Sequence, residues 1–480
     1  MDRKNVSTNL FWRLLERFGA QGVTFLVSLV LARVLGPEAY GTLALITVIT
    51  ALLQVFVDSG LGTALIQKKN ADDTDFSSVF YVNMGLCLVI YLGLFFAAPL
   101  VTRFYGKDVE FTWMVRTVGL ILIISGMKNV QHAYCARNLL FKKYFFATLG
   151  GTLTAAVVGI VMAYAGFGVW ALIAQNLVNQ TIDTVILWIT VGWKPKKLFS
   201  WQRMKGLFSF GWKMLVSSLL NTLWLELRQL IIGKMYSSAD LAYYNKGAEY
   251  PKDATVSITS TVDSVMLPVM AKEQDDPKKV KAITRRAIKV GSYIIWPMMV
   301  GLAVCSKQVI GLILGQAWLP AVPYLQIFCI VYAFYPIHTA NLNAIKAMGR
   351  SDLFLILEII KKIVSLVTIL ATMWFGVIWL AIGSLAGSLV NQFVNAFPNS
   401  KLLGYNYLEQ WKDLTSSFFL SAGMGAIVYC VNFLGLPDLP TLLIQVPLGV
   451  LLYVVGSIVF KFESFHYVKD LILSYFKKKR

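Results

Sequence analysis

The sequence predicts an all-α integral membrane protein with about 14 transmembrane helices. They form two six-helix lobes related by a pseudo-twofold axis along the membrane normal, plus two extra C-terminal helices. Three observations predict this. Of 480 residues, 57% are hydrophobic and 14% charged, with a mean hydropathy of +0.64; a soluble domain carries about 25% charged residues. Apolar runs of about 20 residues, the length that crosses a bilayer core, recur throughout the chain. Landmarks of the first half also return in the second.

The expected spans, in order, are 12–35, 40–66, 76–101, 112–133, 145–165, 168–191, 208–233, 244–270, 288–314, 321–345, 353–375, 377–400, 414–434 and 441–460. The first begins with Arg3, Lys4, Arg13 and Arg17 and lacks a small-residue cleavage site, so it reads as a retained helix rather than a signal peptide. The eighth is interrupted by Glu249, Lys252, Asp253 and Asp263. It is kept because of the loop charges. With the N-terminus inside, basic residues collect in alternate loops: Lys68 and Lys69; Arg137, Lys142 and Lys143; Lys194, Lys196, Lys197, Arg203 and Lys205; Lys272, Lys278, Lys279, Lys281, Arg285 and Arg286. Removing the eighth span would invert every later loop. By the positive-inside rule both termini are cytoplasmic.

The repeat is read from several landmarks in the same order. Phe167-Gly168-Val169-Trp170 precedes Leu177-Val178-Asn179-Gln180, as Phe375-Gly376-Val377-Ile378-Trp379 precedes Leu389-Val390-Asn391-Gln392. Asp58-Ser59 matches Asp263-Ser264, Arg33 matches Lys234, and Arg13 matches Lys213 within one residue. Each repeat holds six spans, so both lobes share one orientation and a central cleft is expected between them. The expected organisation is an N-lobe at 1–193, a cytoplasmic interfacial linker at 194–207, a C-lobe at 208–403, and the last two spans with a basic amphipathic tail at 404–480. The linker contains Pro195, and both it and the tail mix aromatic and basic residues suited to a membrane surface.

Ionisable side chains inside spans are costly and persist where they face a cavity or a partner. Span one carries Arg13, Glu16 and Arg17; span seven carries Lys213, Glu226 and Arg228. Asp58, Asp183 and Asp263 lie in spans two, six and eight, and Arg116 near the outer end of span four. Arg13, Arg17 and Lys213 sit near cytoplasmic ends, where they can also snorkel. Arg228 and Glu226 sit too deep for that. Arg13, Arg17, Lys213 and Arg228 are the candidate substrate-binding cations, suited to a phosphate or pyrophosphate. Asp58, Asp263, Glu16 and Glu226 are the candidate gating partners. Cys87, Cys135, Cys305, Cys329 and Cys430 read as buried apolar residues. They and the three histidines lack ligand spacing, so no metal, cofactor or nucleic acid is expected.

The stretch Leu31-Ala32-Arg33-Val34-Leu35-Gly36-Pro37-Glu38-Ala39-Tyr40-Gly41, the Asp58-Ser59-Gly60-Leu61-Gly62 end of span two and the duplicated architecture resemble the polysaccharide transporter family. This is the Wzx-type family of O-antigen, colanic-acid and teichuronic-acid exporters, within the multidrug/oligosaccharidyl-lipid/polysaccharide flippase superfamily. The resemblance implies a non-enzymatic flippase carrying undecaprenyl-pyrophosphate-linked oligosaccharide across the cytoplasmic membrane of a bacterium. It implies membrane lipids, a polysaccharide polymerase and glycosyltransferases as partners, and leaves coupling to H+ or Na+ open. The competing readings are a drug/cation antiporter of the same superfamily, using Asp58 and Asp183, and a membrane polymerase or glycosyltransferase. The short outer loops and the absence of a catalytic set weigh against the enzymes.

Overall fold

In a hydrocarbon solvent every backbone polar group must find a partner within the chain, so an apolar chain of this kind folds as helices. The computed structural model describes residues 3–58, 61–68, 70–467 and 469–470, with side chains at all of these except 3–18, 20, 207, 209–211, 261 and 265. No strand occurs among the described residues. The elements in order are α1 (Arg3–Asp58), α2 (Leu61–Gln67), α3 (Asp73–Tyr105), α4 (Val109–Arg137), α5 (Phe141–Tyr164), α6 (Val169–Thr190), α7 (Trp201–Met235) and α8 (Ser238–Lys272). They continue with α9 (Pro277–Val304), α10 (Ser306–Ile313), α11 (Val322–Ala333), α12 (Tyr335–Ala347), α13 (Ser351–Thr372), α14 (Val377–Leu402), α15 (Tyr407–Cys430) and α16 (Asp438–Val459).

Helices cover all fourteen expected segments. Eleven described segments are long and apolar enough to cross a membrane, and one of them, Gln21–Gln67, contains most of the first expected span and all of the second. The expected spans within α6 and α13 are not among the eleven; α13 carries Glu358, Lys361 and Lys362. The protein is a multi-pass membrane protein. Val89, Phe96, Val157, Ile189 and Val450 are exposed along these helices, as a lipid-facing surface requires.

The chain divides into two compact units, Met1–Ala242 and Tyr243–Arg480. The division falls beyond 194–207, because α7 packs on α1, α2 and α3. The segment expected as a separate interfacial helix is instead an extended stretch to Ser200 followed by the first turns of α7. The tail beyond 470 lies outside the described residues.

In the first unit, Gly36 breaks α1 with φ +73, a conformation open to glycine but strained for other residues, and Pro37 opens the second half. The Tyr40 hydroxyl then donates to the Ser28 carbonyl at 3.0 Å, tying the second half back to the first. A Cβ at Gly41 would lie 1.7 Å from the Ser238 carbonyl oxygen, so the backbones meet there directly. The Leu-Gly-Pro-Glu-x-Tyr-Gly stretch is therefore a kink, a tie and a close approach in consecutive turns.

Helix pairs close through small residues, as membrane packing favours. Gly151 and Gly159 of α5 receive Asn179 and Gln175 of α6, and in the second unit Gly383 of α14 receives Thr372 of α13. Both hairpins turn on a positive-φ glycine before the later helix, Gly168 and Gly376. Asp72 and Asp276, 204 positions apart, both N-cap the helix that follows.

The segment before α7 is held on α3. Ser77 and Ser78 hydroxyls accept from the Lys196 and Ser200 backbone N–H groups, both at 2.9 Å. Lys196 Nζ lies 2.5 Å from Asp73, and Arg203 donates to both Asp72 carboxylate oxygens at 2.6 Å. The Arg203 guanidinium, first, and the Asp75 backbone N–H, second, hold the Asp72 carboxyl down at about 2.

Two predictions follow from this packing. Gly41→Ala should lower detergent stability by about 1–3 kcal/mol or prevent folding, whereas Gly85→Ala, with open space around it, should leave the melting temperature near wild type. Arg203→Gln should lower the melting temperature only slightly at neutral pH, because the pair is half-exposed and screened. A lowered carboxylate stabilises the fold above its unfolded value and loses that contribution as pH falls through the folded one. The difference in melting temperature between wild type and Arg203→Gln should therefore shrink below about pH 4 and vanish near pH 2, the folded value for Asp72.

Candidate polar pocket of the first unit

Lys128 lies two-thirds of the way along α4, with apolar segments before it. A lysine at that depth needs an acceptor, and α6 supplies two. Lys128 Nζ donates to Asp183 Oδ2 at 3.0 Å and to Gln180 Oε1. Both ionic side chains are buried, at 13% and 9% exposure. Gly151 lies behind them: a Cβ there would sit 3.2 Å from Asp183 Cβ, so α5 presses α6 toward α4.

The next residue of α4 points to a third helix. Asn129 Nδ2 donates to the Val57 carbonyl at 3.0 Å, holding the end of α1 beside the pair. There Asp58 accepts from Gln54 Nε2 at 3.3 Å. The three helices enclose a cavity of about 390 Å³ lined by Thr47, Gln54, Asp58, Lys128, Asn129 and Gln180, among others. It combines carboxylate, ammonium, amide and hydroxyl groups. Lys128 and Asp183 compensate each other, and Asp58 is the remaining carboxyl of the cavity. Amide and hydroxyl groups of this kind match a ligand rich in hydroxyls.

The expected site residues are distributed as follows. Asp58 lines this cavity. Asp263, in the second unit, accepts from Asn343 Nδ2 at 2.8 Å. Among the described residues neither aspartate is ion-paired with Lys213, which is exposed on α7. Arg228 and Glu226 are half-buried on α7, where Gln229 Nε2 donates to Glu226 at 2.6 Å. The side chains of Arg13, Glu16 and Arg17 lie outside the described residues. Arg116 packs over the rings of Phe95 and Trp113, at 4.1 and 4.9 Å, and donates to the Phe95 carbonyl. Cys430 is exposed, not buried; the other four cysteines are buried, and all five are free thiols.

Sequence reasoning missed Lys128. The signal was present, a lysine inside an apolar span, but its partner is 55 positions away and no local pattern joins them.

The second unit has a neutral counterpart. His338 stands 210 positions after Lys128, and Asn395 212 after Asp183; Asn395 Nδ2 lies 3.2 Å from His338 Nδ1. His338 Nε2 lies 3.4 Å from Ser388. Further along, Asn341, Asn399 and Gln410 bond one another at 2.7 to 3.1 Å and join α12, α14 and α15.

Residues 30–323, more than half of the chain, match a family described as polysaccharide biosynthesis protein. The chain belongs to that family. Among curated relatives, it is 26% identical over 326 residues to the succinoglycan biosynthesis transport protein ExoT of Rhizobium meliloti, covering 68% of this chain and 66% of that protein. It is 25% identical over 314 residues to the teichuronic acid biosynthesis protein TuaB of Bacillus subtilis, covering 63% of each. To the lipopolysaccharide biosynthesis protein WzxC of Escherichia coli it is 22% identical over 459 residues, covering 94% and 89%. The chain thus spans just under two thirds of ExoT and TuaB and most of WzxC. Its fold is that of a solved lipid II flippase MurJ in an inward closed conformation: TM-score 0.75, 16% identity, covering 96% of this chain and 99% of that one. A multidrug resistance MATE transporter of the MOP superfamily, inward-facing, aligns with TM-score 0.59 at 14% identity, over 80% and 95% of the two chains.

A buried ion pair is strongly destabilised by removing one partner, yet a neutral pair of similar volume often replaces it without loss. Lys128→Met and Asp183→Leu should each cost about 3–5 kcal/mol of detergent stability. The double substitution should recover most of it. A double variant that melts no higher than the single ones would show that the pair is not the coupled unit described above.

Proposed function

We propose that this protein is a flippase that moves a polyprenyl-pyrophosphate-linked oligosaccharide from the inner to the outer leaflet of a bacterial cytoplasmic membrane, by alternating access, for cell-surface polysaccharide synthesis. The observation that carries this reading is the hydroxyl- and amide-lined pocket with its buried Lys128–Asp183 pair, inside the membrane-spanning helices of a polysaccharide biosynthesis protein. Sugars crossing bare hydrocarbon would cost several kcal/mol per unpaired polar group. Side chains such as Gln54, Asn129 and Gln180 replace the water that those hydroxyls lose. The names of ExoT, TuaB and WzxC, a transport protein and two polymer-biosynthesis proteins, support the cargo class.

Within this reading, the diphosphate falls to cations of spans one and seven: Arg13, Arg17, Lys213 and Arg228. Asp58, Asp263, Glu16 and Glu226 are the groups whose pairing changes as the site turns from one leaflet to the other. The sequence repeats are 1–193 and 208–403, with 194–207 between them and 404–480 as an addition, although α7 packs within the compact unit Met1–Ala242. Both termini face the cytoplasm, as the loop lysines and arginines require. A polymerase and glycosyltransferases supply and consume the cargo, and the chain itself transports rather than catalyses. The drug/cation antiporter reading needs a free acidic pair, and Lys128 already occupies Asp183.

The test is flipping of a lipid-linked oligosaccharide in vesicles containing the purified chain. Gln54→Ala and Arg228→Ala should each slow flipping at least about tenfold, the scale of one lost charge-assisted or multiple polar contact, with melting temperature near wild type. Wild-type rates in both variants would remove these residues from the cargo path. Failure of the wild-type chain to flip any such lipid, with efflux of organic cations instead, would overturn the reading.

A further inference from the structure

At one end of the second unit, the first turns of α9, the start of α15 and the segment after α16 bring many charges together. Most are matched. Lys281 Nζ lies 2.9 Å from Glu409, Arg285 Nη2 2.7 Å from Asp413, and Lys289 Nζ 3.3 Å from Glu463. Arg286 is different. Among the described residues it has no carboxylate in salt-bridge range, and its guanidinium stands 5.0 Å from the centre of the Tyr467 ring. It opens onto a cavity of about 550 Å³ lined also by Arg285, Lys289, His466, Tyr467 and one carboxylate, Glu463, which Lys289 pairs. His466 Nδ1 is bonded to the Phe462 carbonyl at 3.0 Å, so Nε2 is the ring nitrogen left for a ligand.

A second, separate cavity lies further along α9. Arg286, Val290, Pro297 and Gly301 follow one another at steps of four, seven and four residues, which keeps them on one helix face. Pro297 and Gly301 line an apolar cavity of about 440 Å³ that α15 and α16 complete through Met424, Val428 and Tyr453. At 1.5 Å per residue, Arg286 stands about 16 Å along the helix from Pro297, close to the depth of half a hydrocarbon core, about 15 Å. A cationic cavity where the apolar stretch of α9 begins, with an apolar cavity one leaflet deep along the same face, has the dimensions of a phospholipid.

We propose that this end of the second unit binds one anionic phospholipid, with its phosphate at Arg286 and one acyl chain along α9. Free phosphate would leave the apolar cavity unused. A zwitterionic headgroup would bring its own ammonium against Arg286 and Lys289. A polyprenyl carrier shares the phosphate, but bulk phospholipid far exceeds it in a membrane and fills such a site by mass action. The site is independent of the cargo reading, because it needs only a membrane around the chain.

The experiment uses the full chain in phosphatidylcholine vesicles containing a minor fraction of phosphatidylglycerol. After detergent extraction, mass spectrometry measures the lipid retained on the protein. Wild type should retain phosphatidylglycerol in preference to phosphatidylcholine. Arg286→Gln should cut that preference about fivefold, the worth of one basic residue at a headgroup, and Arg286→Lys should keep most of it. Gly301→Leu, which fills part of the apolar cavity, should reduce retention with the head site intact. Lys307→Gln, on α10, should change nothing. Melting in pure phosphatidylcholine reads folding separately. Equal retention in wild type, Arg286→Gln and Gly301→Leu would overturn the proposal. So would displacement by inorganic phosphate, which would make the site a free-anion site, or preferential retention of undecaprenyl phosphate at equal mole fraction, which would make it a cargo site.

Discussion

The fold depends on one constraint: a polar group surrounded by hydrocarbon must be satisfied by the chain itself. For the backbone this leaves helices, and the described residues contain no strand. For side chains it means that a deep charge recruits a partner, from its own helix as Asp58 does or from another as Lys128 does. Lys128 draws α6 to α4 through Asp183 and Gln180, and Asn129 draws the end of α1 to the same place. The polar pocket is the space left among helices that these bonds hold together. Its rigidity and its chemistry thus have one origin, and a substitution that loosens the pair alters both.

Close approach is the second condition, because lipid gives helices no hydrophobic reason to associate. Glycines supply it where bonds must form. Gly151 admits the Asn179 backbone beside Asp183, and Gly41 admits the Ser238 carbonyl where the second half of α1 leaves its kink. The kink itself, at Gly36 and Pro37, allows one continuous stretch to turn back toward the membrane, while Tyr40 ties the two halves together. The motif that marks the family in sequence is therefore a kink, a tie and a close approach of backbones.

This explains which parts were legible in the sequence. Helix positions were, because hydropathy is a local property and each expected segment is covered by helix. The turns at Gly36, Gly168 and Gly376 were, because glycine there reports backbone conformation directly. The pocket was only partly legible. Asp58 stood out as a lone acid in an apolar run. Lys128 was overlooked, and its bond to Asp183 joins residues 55 positions apart, which no period or spacing reveals. Matching repeat positions suggested that Asp58 and Asp263 share a role. Their surroundings differ, since Asp58 meets Gln54 one turn away and Asp263 meets Asn343 of another helix. Repeat symmetry predicts where a residue sits and leaves its partner unspecified.

The divergence between the units bears on how such a protein works. At corresponding places the first unit keeps an ammonium–carboxylate pair and the second an imidazole–amide contact. An ion pair in low dielectric is strong when closed and costly when opened without water, whereas a neutral contact changes little in energy between the two conditions. Hydration of the first pocket therefore alters its stability far more than hydration of the second. A carrier that admits water and cargo from one side at a time needs some element that responds to wetting. At this pair of corresponding places the charged contact belongs to the first unit, while Asn341, Asn399 and Gln410 hold α12, α14 and α15 of the second unit in an uncharged network; the ionic contact of Lys361 with Glu358 lies elsewhere in that unit, on α13.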